Sequence, residues 1–342
     1  MRNAAWHRPV SDLHVEEITT AEGLVALAPE WTGLWQLAPG ATPFQAPSWL
    51  LPWWRHFGQG ELLGLCALEG DRLAGLLPLY LYDEPPLRKL LPVGIGNSDW
   101  LDALCLPGRE RAVAGALLAA IAGRAERFDV CDLQPLPPQS PLLEAAAAGL
   151  ADERIALEPC PVLRLAGAGE ALEASLPTPR RRQLRYYRRR AETAGRLQFE
   201  TAGPASLSEL LDAFCALHAA RWARRGLPGV LAEEAVRAFH AQAAPALLEQ
   251  GILRLHALRL DERIVAVLYG LLAKGRFHFY LSGFDPDLGG LGVGTLLIRH
   301  AMEQAAREGA REFDFLRGRE SYKYRWGASD RPSYGRRLRP RG

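Results

Sequence analysis

Between Gly289 and Gly309 the chain reads GGLGVGTLLIRHAMEQAAREG, a cluster of glycines running straight into a helical pattern that another glycine closes. A helix start leaves its first backbone N–H groups without partners, and with the positive end of the helix dipole they can hold a phosphate without any charged side chain. A tight turn is the other use of such glycines. No Gly-Lys-Ser/Thr follows, so the lysine and metal ligand of a nucleotide-hydrolysing loop are missing. The glycines also sit too close together for the GxGxxG of a dinucleotide fold. Downstream, GRESYKYRWG carries Glu320, Tyr322, Lys323 and Tyr324, and the spacing of Glu320 and Lys323 suits an ion pair. Asp314 lies between Phe313 and Phe315 in a strand pattern, on the opposite face from both. A carboxylate inside a sheet needs a partner, so Asp314 is either a base with a raised pKa or a structural acceptor. Seven arginines fall between Arg180 and Arg190, Arg181 and Arg185 among them, forming either a solvated helix face or a surface for a polyanion or a phosphorylated acceptor. His218, Arg221 and Trp222 line a cleft or close a core, while His256 and His278 read as sheet residues. No Ser-His-Asp triad, HExxH motif or paired glycosidase carboxylates can be placed, which sets hydrolases aside.

These residues need a scaffold, and 342 residues suggest two domains. Hydrophobic residues at 48% and charged residues at 23% are the composition of a globular protein. A net charge of +2 signals no attraction to nucleic acid by the molecule as a whole. No apolar run reaches the roughly 18 residues of a membrane span. The opening MRNAAWHRPVSDLHVEE lacks an apolar signal region, so a cytoplasmic location is expected. Cys66, Cys105, Cys131, Cys160 and Cys215 are scattered without a CxxC pair and read as buried thiols, with no metal implied.

One order of elements is read twice. Glu61–Leu68 and Arg72–Tyr82 form a hairpin, followed by a strand at Ser98–Leu106, a helix over ERAVAGALLAAIAGRAER and a strand at Phe128–Gln134. In the second half the strands are Leu253–Leu260, RIVAVLYGLL and Arg276–Phe284, then a helix over Thr295–Glu308 and the strand pattern Arg311–Gly318. A spacing of roughly 190 residues is that of a duplicated domain, not of a solenoid repeat. The boundary is placed at the small-residue stretch Leu165–Gly169, giving domains 1–165 and 166–342. Ahead of the second sheet, Thr178 suits an N-cap, Pro179 the first helical position and Gly195 the stop. Leu184, Tyr187, Ala191 and Ala194 share one face of that helix.

Gly292-Val293-Gly294 resembles the pyrophosphate loop of the GNAT acyltransferase superfamily, with Gly289 standing where that motif has Gln or Arg. SGFDPDLGGLGVGTLL with DFLRGRESYKYRWG, the arginine helix RRRQLRYYRRRAETAG and LHAARWARRG resemble the CelD/BcsL-type branch, related to the FemAB aminoacyl transferases that carry two GNAT folds in tandem. The resemblance covers most of residues 170 to 330 and implies an α+β fold: two tandem GNAT-like domains, each a mixed, mostly antiparallel sheet flanked by helices. The first half keeps only Gly108 of the glycine set, so the acyl-CoA loop belongs to the second. The resemblance implies acyl-CoA held at Gly292, Val293, Gly294 and Thr295, with backbone N–H groups from Tyr280, Leu281 and Ser282 on the thioester carbonyl. It implies Tyr322 as the acid for the leaving thiolate, and Glu320 either as acceptor of the amine proton or as the partner of Lys323. Arg181, Arg185, Arg221, Trp222 and Lys323 are the substrate-binding candidates, the arginine helix also offering a place for the 3′-phosphate of coenzyme A.

The resulting expectation is an N-acyltransferase moving an acyl group from acyl-CoA directly to an amine on a small molecule or a glycan. Two alternatives remain: a FemAB-like transferase using aminoacyl-tRNA, and a degenerate, non-catalytic pair of GNAT folds serving as a binding module. The sequence gives no oligomeric state, acyl chain or acceptor.

Overall fold

A computed structural model describes residues 13–341. The opening stretch searched for a signal segment lies, through residue 12, outside the described residues. The first half contains β1 (Leu13–Ile18), α1 (Ala21–Ala26), α2 (Ala28–Leu37), α3 (Pro47–Phe57), β2 (Glu61–Glu69), β3 (Arg72–Glu84), β4 (Leu87–Pro92), β5 (Leu104–Cys105), α4 (Glu110–Ala122), β6 (Val130–Leu136), α5 (Pro141–Glu144) and β7 (Leu150–Arg164). The second contains α6 (Glu170–Ser175), α7 (Thr178–Ala194), β8 (Leu197–Thr201), α8 (Leu207–Ala223), α9 (Glu234–Glu249), β9 (Leu253–Leu260), β10 (Arg263–Ala273), β11 (Arg276–Phe284), α10 (Val293–Arg307), β12 (Glu312–Asp314), α11 (Ser321–Tyr324) and β13 (Ser329–Pro340).

All thirteen strands belong to one mixed, mostly antiparallel sheet, ordered β1-β2-β3-β4-β6-β13-β7-β12-β11-β10-β9-β8, with β5 paired to β3 off this path. The duplication is visible in its pairings. β2, β3 and β4 run antiparallel, then α4 leads to β6, parallel to β4. Likewise β9, β10 and β11 run antiparallel, then α10 leads to β12, parallel to β11. The halves then exchange their last strands: β7 follows β6 in sequence but lies beside β12, while β13 follows β12 but lies beside β6. β7 and β13 also pair with each other from Leu150 to Val162, so the sheet runs without a break past residue 165.

Alternation assigns the faces. In β10, Val267, Tyr269 and Leu271 enter a core shared with α2, α3, α8 and α9, while Ala266 and Leu268 enter one beneath α7 and α10. In α10 the buried Val293, Leu297, Ala301 and Ala305 recur at spacing four, which turns that face onto the sheet. A separate cluster packs α4 on β2 and β3. Among the described residues, no helix is long and apolar enough to cross a membrane, and no group of three or more His, Cys, Asp or Glu side chains could hold a metal ion.

Several local expectations are corrected. Ser98–Leu106 is not a strand apart from Leu104–Cys105; the third strand of the first half is Leu87–Pro92, whose charged Arg88 and Lys89 hid it. The cap before α7 is Pro177 rather than Thr178, whose hydroxyl instead accepts a hydrogen bond from Arg181. Leu184 and Ala191 are buried and Tyr187 half-buried, but Ala194 is exposed at the frayed end. Cys215 is only half-buried, unlike the other four cysteines, and none forms a disulfide.

Because β13 satisfies one edge of β6 and one of β7, truncating the chain after Ala328 exposes two unpaired strand edges. The full-length chain is expected to unfold in one calorimetric transition, and the truncated protein to aggregate and lose it. A monomer that melts with the full-length chain would contradict the strand exchange.

Candidate active site

β11 pairs with β10 along its length, but with β12 only from Arg276 to His278. β12 ends at Asp314, so from Phe279 to Phe284 one edge of β11 has no strand beside it. A bulge starts the divergence: Leu281 opposes Tyr269 and Phe279 opposes Gly270, leaving Tyr280 without an opposite number. Its effect shows in the packing, since the successive Tyr280 and Leu281 both lie against the same core. Tyr280 is anchored there by its hydroxyl, which donates to the carbonyl of Asn97 at 3.0 Å. Across the strand, Gly283 lets α8 approach closely, because a Cβ there would lie 2.4 Å from the backbone nitrogen of His218.

After β11 a short 3-10 helix, Pro286–Leu291, delivers the chain to Gly292, which caps α10 in the left-handed region at φ 66°. The Gly292 carbonyl accepts from Leu296, while the N–H groups of Val293, Gly294 and Thr295 donate to no acceptor among the described residues. They line a cleft of ≈ 280 Å³ with Gly289, Ser282, Phe284, Arg221, Arg225, Tyr187 and Tyr322. Tyr187 of α7 forms one wall: a Cβ on Gly292 would lie 2.3 Å from its ring, and its hydroxyl accepts from Gln183. Two cations face the cleft. Arg221 donates to the Ser282 carbonyl at 3.3 Å and lies over the Phe284 ring, and Arg225 packs on Trp222.

A second cavity of ≈ 610 Å³ adjoins the first and shares Arg221, Arg225, Phe279, Ser282 and Tyr322 with it. Its remaining lining includes His218, Trp222, Tyr280, Leu281, Glu320, Lys323, Arg317 and, from the first half, Asn97 and Asp99. Tyr322 therefore stands where the two spaces meet. Among the described residues its hydroxyl makes no hydrogen bond, and burial, seconded by Glu320, raises its pKa against the pull of Arg221, so the phenol keeps its proton. Glu320 is the exposed end of an ion pair with Lys323 at 2.8 Å. Lys323 is buried and also donates to the carbonyls of Leu316, Arg317 and Gly318, so its ammonium holds the turn before α11.

The other candidates stand apart. Asp314 lies opposite Phe313 and Phe315 and lines a different cavity of ≈ 500 Å³; it accepts from Trp100 Nε1 at 3.0 Å and from the Leu316 N–H, and burial raises it to about 6. Arg181 and Arg185 of α7 line neither of the joined cavities. Arg180, in the same run, is instead buried: it stacks on Trp326 and donates to the carbonyls of Tyr322 and Arg325 at 3.3 Å, fastening α11. Arg225 and Asp99 are lining residues the sequence did not single out, Asp99 because its stretch reads as a strand.

Residues 179–324 match the family model of the acetyltransferase (GNAT) domain. Among solved structures, FemX is 12% identical with a TM-score of 0.68, over 94% of this chain and 96% of that one. A conserved protein of unknown function from Bacteroides thetaiotaomicron is 13% identical with a TM-score of 0.57, over 95% and 99%. L-PGS from Bacillus licheniformis is 13% identical with a TM-score of 0.54, over 77% and 80%. At these identities the likeness is one of fold. No curated protein matches the chain by sequence.

Gly292→Ala is expected to destabilise the protein by about 2–4 kcal/mol, through a left-handed non-glycine residue and overpacking against Tyr187. Denaturant melts of Gly292→Ala, Tyr187→Ala and the double variant check this. Removing the ring should return part of the loss, and strictly additive effects would disprove the contact.

Proposed function

We propose that the protein is an acyltransferase that moves an acyl group from an acyl-CoA thioester directly to an amine of a small molecule or glycan. One observation carries the reading: the bare helix start of α10, the unpaired edge of β11 and the Tyr322 hydroxyl all open onto joined cavities. The N–H groups of Val293, Gly294 and Thr295, with Arg221 and Arg225 alongside, suit a diphosphate. The edge from Phe279 to Phe284 suits an extended amide-bearing arm added as a strand, and N–H groups from Tyr280 to Ser282 suit the developing oxyanion. Tyr322, still protonated, supplies a proton to the departing thiolate. The GNAT domain match and the resemblance to CelD/BcsL-type transferases support the same assignment.

A second reading uses an aminoacyl-tRNA donor, and the exposed Arg182, Arg185, Arg188, Arg189 and Arg190 of α7 are the observation favouring it. The amide cradle favours coenzyme A, because an aminoacyl ester on RNA brings no diphosphate to that corner.

Coenzyme A and acetyl-CoA are expected to raise the melting temperature, by the equivalent of about 2.7 kcal/mol at a hundredfold excess over Kd. Tyr322→Phe should keep this shift while lowering kcat by about 10²-fold or more. No shift with any acyl-CoA, together with RNA binding that weakens steeply with salt, would transfer the assignment to the second reading. Tyr322→Phe and Glu320→Gln variants with unchanged biological activity would make the protein a binding module.

A further inference from the structure

Residues 94–102 connect β4 to β5 in the first half of the chain, yet they are fastened to both halves. The Gly96 carbonyl accepts from Arg317 at 2.7 Å and the Asn97 carbonyl from Tyr280 at 3.0 Å. The Asn97 and Ser98 side chains accept from the indoles of Trp53 and Trp49 at 3.2 and 2.8 Å. Trp100 donates to Asp314 across the halves, and its backbone is held at φ 63°, where bulky residues rarely sit. Between these fixings lies Asp99, only 6% exposed. Its Oδ1 is buried without a hydrogen-bond partner; the Arg317 Nε stands 3.5 Å away, outside hydrogen-bond geometry.

A loop tied at every neighbouring residue and strained at the next one presents a buried carboxylate that is ion-paired with Arg317, yet whose Oδ1 receives no hydrogen bond among the described residues. Such a group calls for a cationic or hydrogen-bonding guest. The space it faces is the ≈ 610 Å³ cavity that Tyr322, Ser282 and Leu281 also line. We propose that Asp99 is the residue that receives the acceptor's ammonium group and removes its proton, making the substrate a primary amine that arrives as a cation. This rests on the acyl-transfer reading above and assigns a catalytic residue to the first half of the chain.

In the step, one ammonium N–H proton passes to the Asp99 carboxylate, and the freed lone pair attacks the thioester carbonyl carbon. The tetrahedral adduct collapses with loss of the C–S bond and of a second proton from nitrogen, while the thiolate takes the Tyr322 proton. The nitrogen's proton restores Tyr322, and the one on Asp99 leaves to solvent, so one proton is released per amide and thiol formed. The competing groups serve less well. Glu320 is 58% exposed in its side chain and held by Lys323, Asp314 faces another cavity, and burial lowers His218 to about 4. Burial raises the Asp99 pKa against Arg317 and Lys323, which makes it the better proton acceptor.

The test uses the full chain with acetyl-CoA, following thiol release with glucosamine, lysine amide and butylamine, and with methoxyamine, which is already unprotonated at neutral pH. Asp99→Asn is expected to slow the three ammonium acceptors about a hundredfold or more while methoxyamine stays within about fivefold, as loss of a base requires. Its thermal shift with coenzyme A should equal that of the wild type. If the Asn variant melts early, Asp99→Glu is compared at a lower temperature and should recover part of the rate. Equal losses on all acceptors, no loss, or a Glu variant no better than Asn would overturn the assignment, as would a wild type that binds coenzyme A and acylates no amine. A wild type with neither shift nor thiol release would remove the acyl-transfer reading itself.

Discussion

The feature on which the rest depends is the parting of β11 from β12 after three paired residues. Backbone N–H and C=O groups at an unpaired edge inside a molecule must find water or a guest. An edge that is open yet lies between two packed layers is therefore suited to receiving a guest. A bulge at Tyr280 accompanies it, and the fixings around it keep it open: Tyr280 is tied to Asn97, and α8 lies close against Gly283. On the far side, Lys323 gathers three carbonyls of the turn after β12, so that turn cannot swing back to close the gap. Both walls are held by interactions separate from any ligand, which is the preorganisation that electrostatic catalysis needs.

Exchange of the last strands makes the two halves one mechanical unit. β7 supplies the partner of β12, so the short strand beside the gap is positioned by residues of the first half, Val162 to Arg164. The Trp100–Asp314 hydrogen bond then joins the loop bearing Asp99 to the strand that ends at the gap. A buried indole–carboxylate bond of this kind resists exchange for water, because separating the partners would leave both unsatisfied. The spacing between the β4–β5 loop and the open edge of β11 is thus set by the core and not by a flexible linker.

The sequence displayed the parts whose signal is periodic or compositional. The apolar run RIVAVLYGLL, the alternation in RFHFYLSGF and the glycines before a helical run located the central strands and the helix start within one or two residues. Long-range facts were invisible. Nothing in SYGRRLRP indicates that this stretch pairs with β6, some two hundred residues upstream, because its buried Arg336 and charge-paired Arg337 look like surface. Arg180 hid in the arginine run in the same way, its role fixed by Trp326 and by carbonyls of residues far along the chain. Asp99 was masked for the opposite reason: SDWLDALCL has the length and apolar content of a strand, yet its polar and aromatic residues are spent on anchoring a loop.

The two helix starts differ in how their first N–H groups are met, although their topologies agree. In the first half, α4 begins after Gly108 with Glu110 in its first turn, and the Glu110 carboxylate accepts from the Gly108 N–H at 3.1 Å. The helix dipole there is already compensated by the chain's own anion, and a second negative group would meet like charge. In the second half the first turn of α10 carries no acid, and Val293, Gly294 and Thr295 leave their N–H groups facing a cleft flanked by Arg221 and Arg225. A few side chains therefore decide which helix start keeps its N–H groups bare. The first half, freed from that task, contributes its long β4–β5 loop to the cavity on the other side of Tyr322. Duplication followed by this division separates positive charge on one side of the open edge from a buried carboxylate on the other. That polarity suits an anionic donor and a cationic acceptor meeting at one strand.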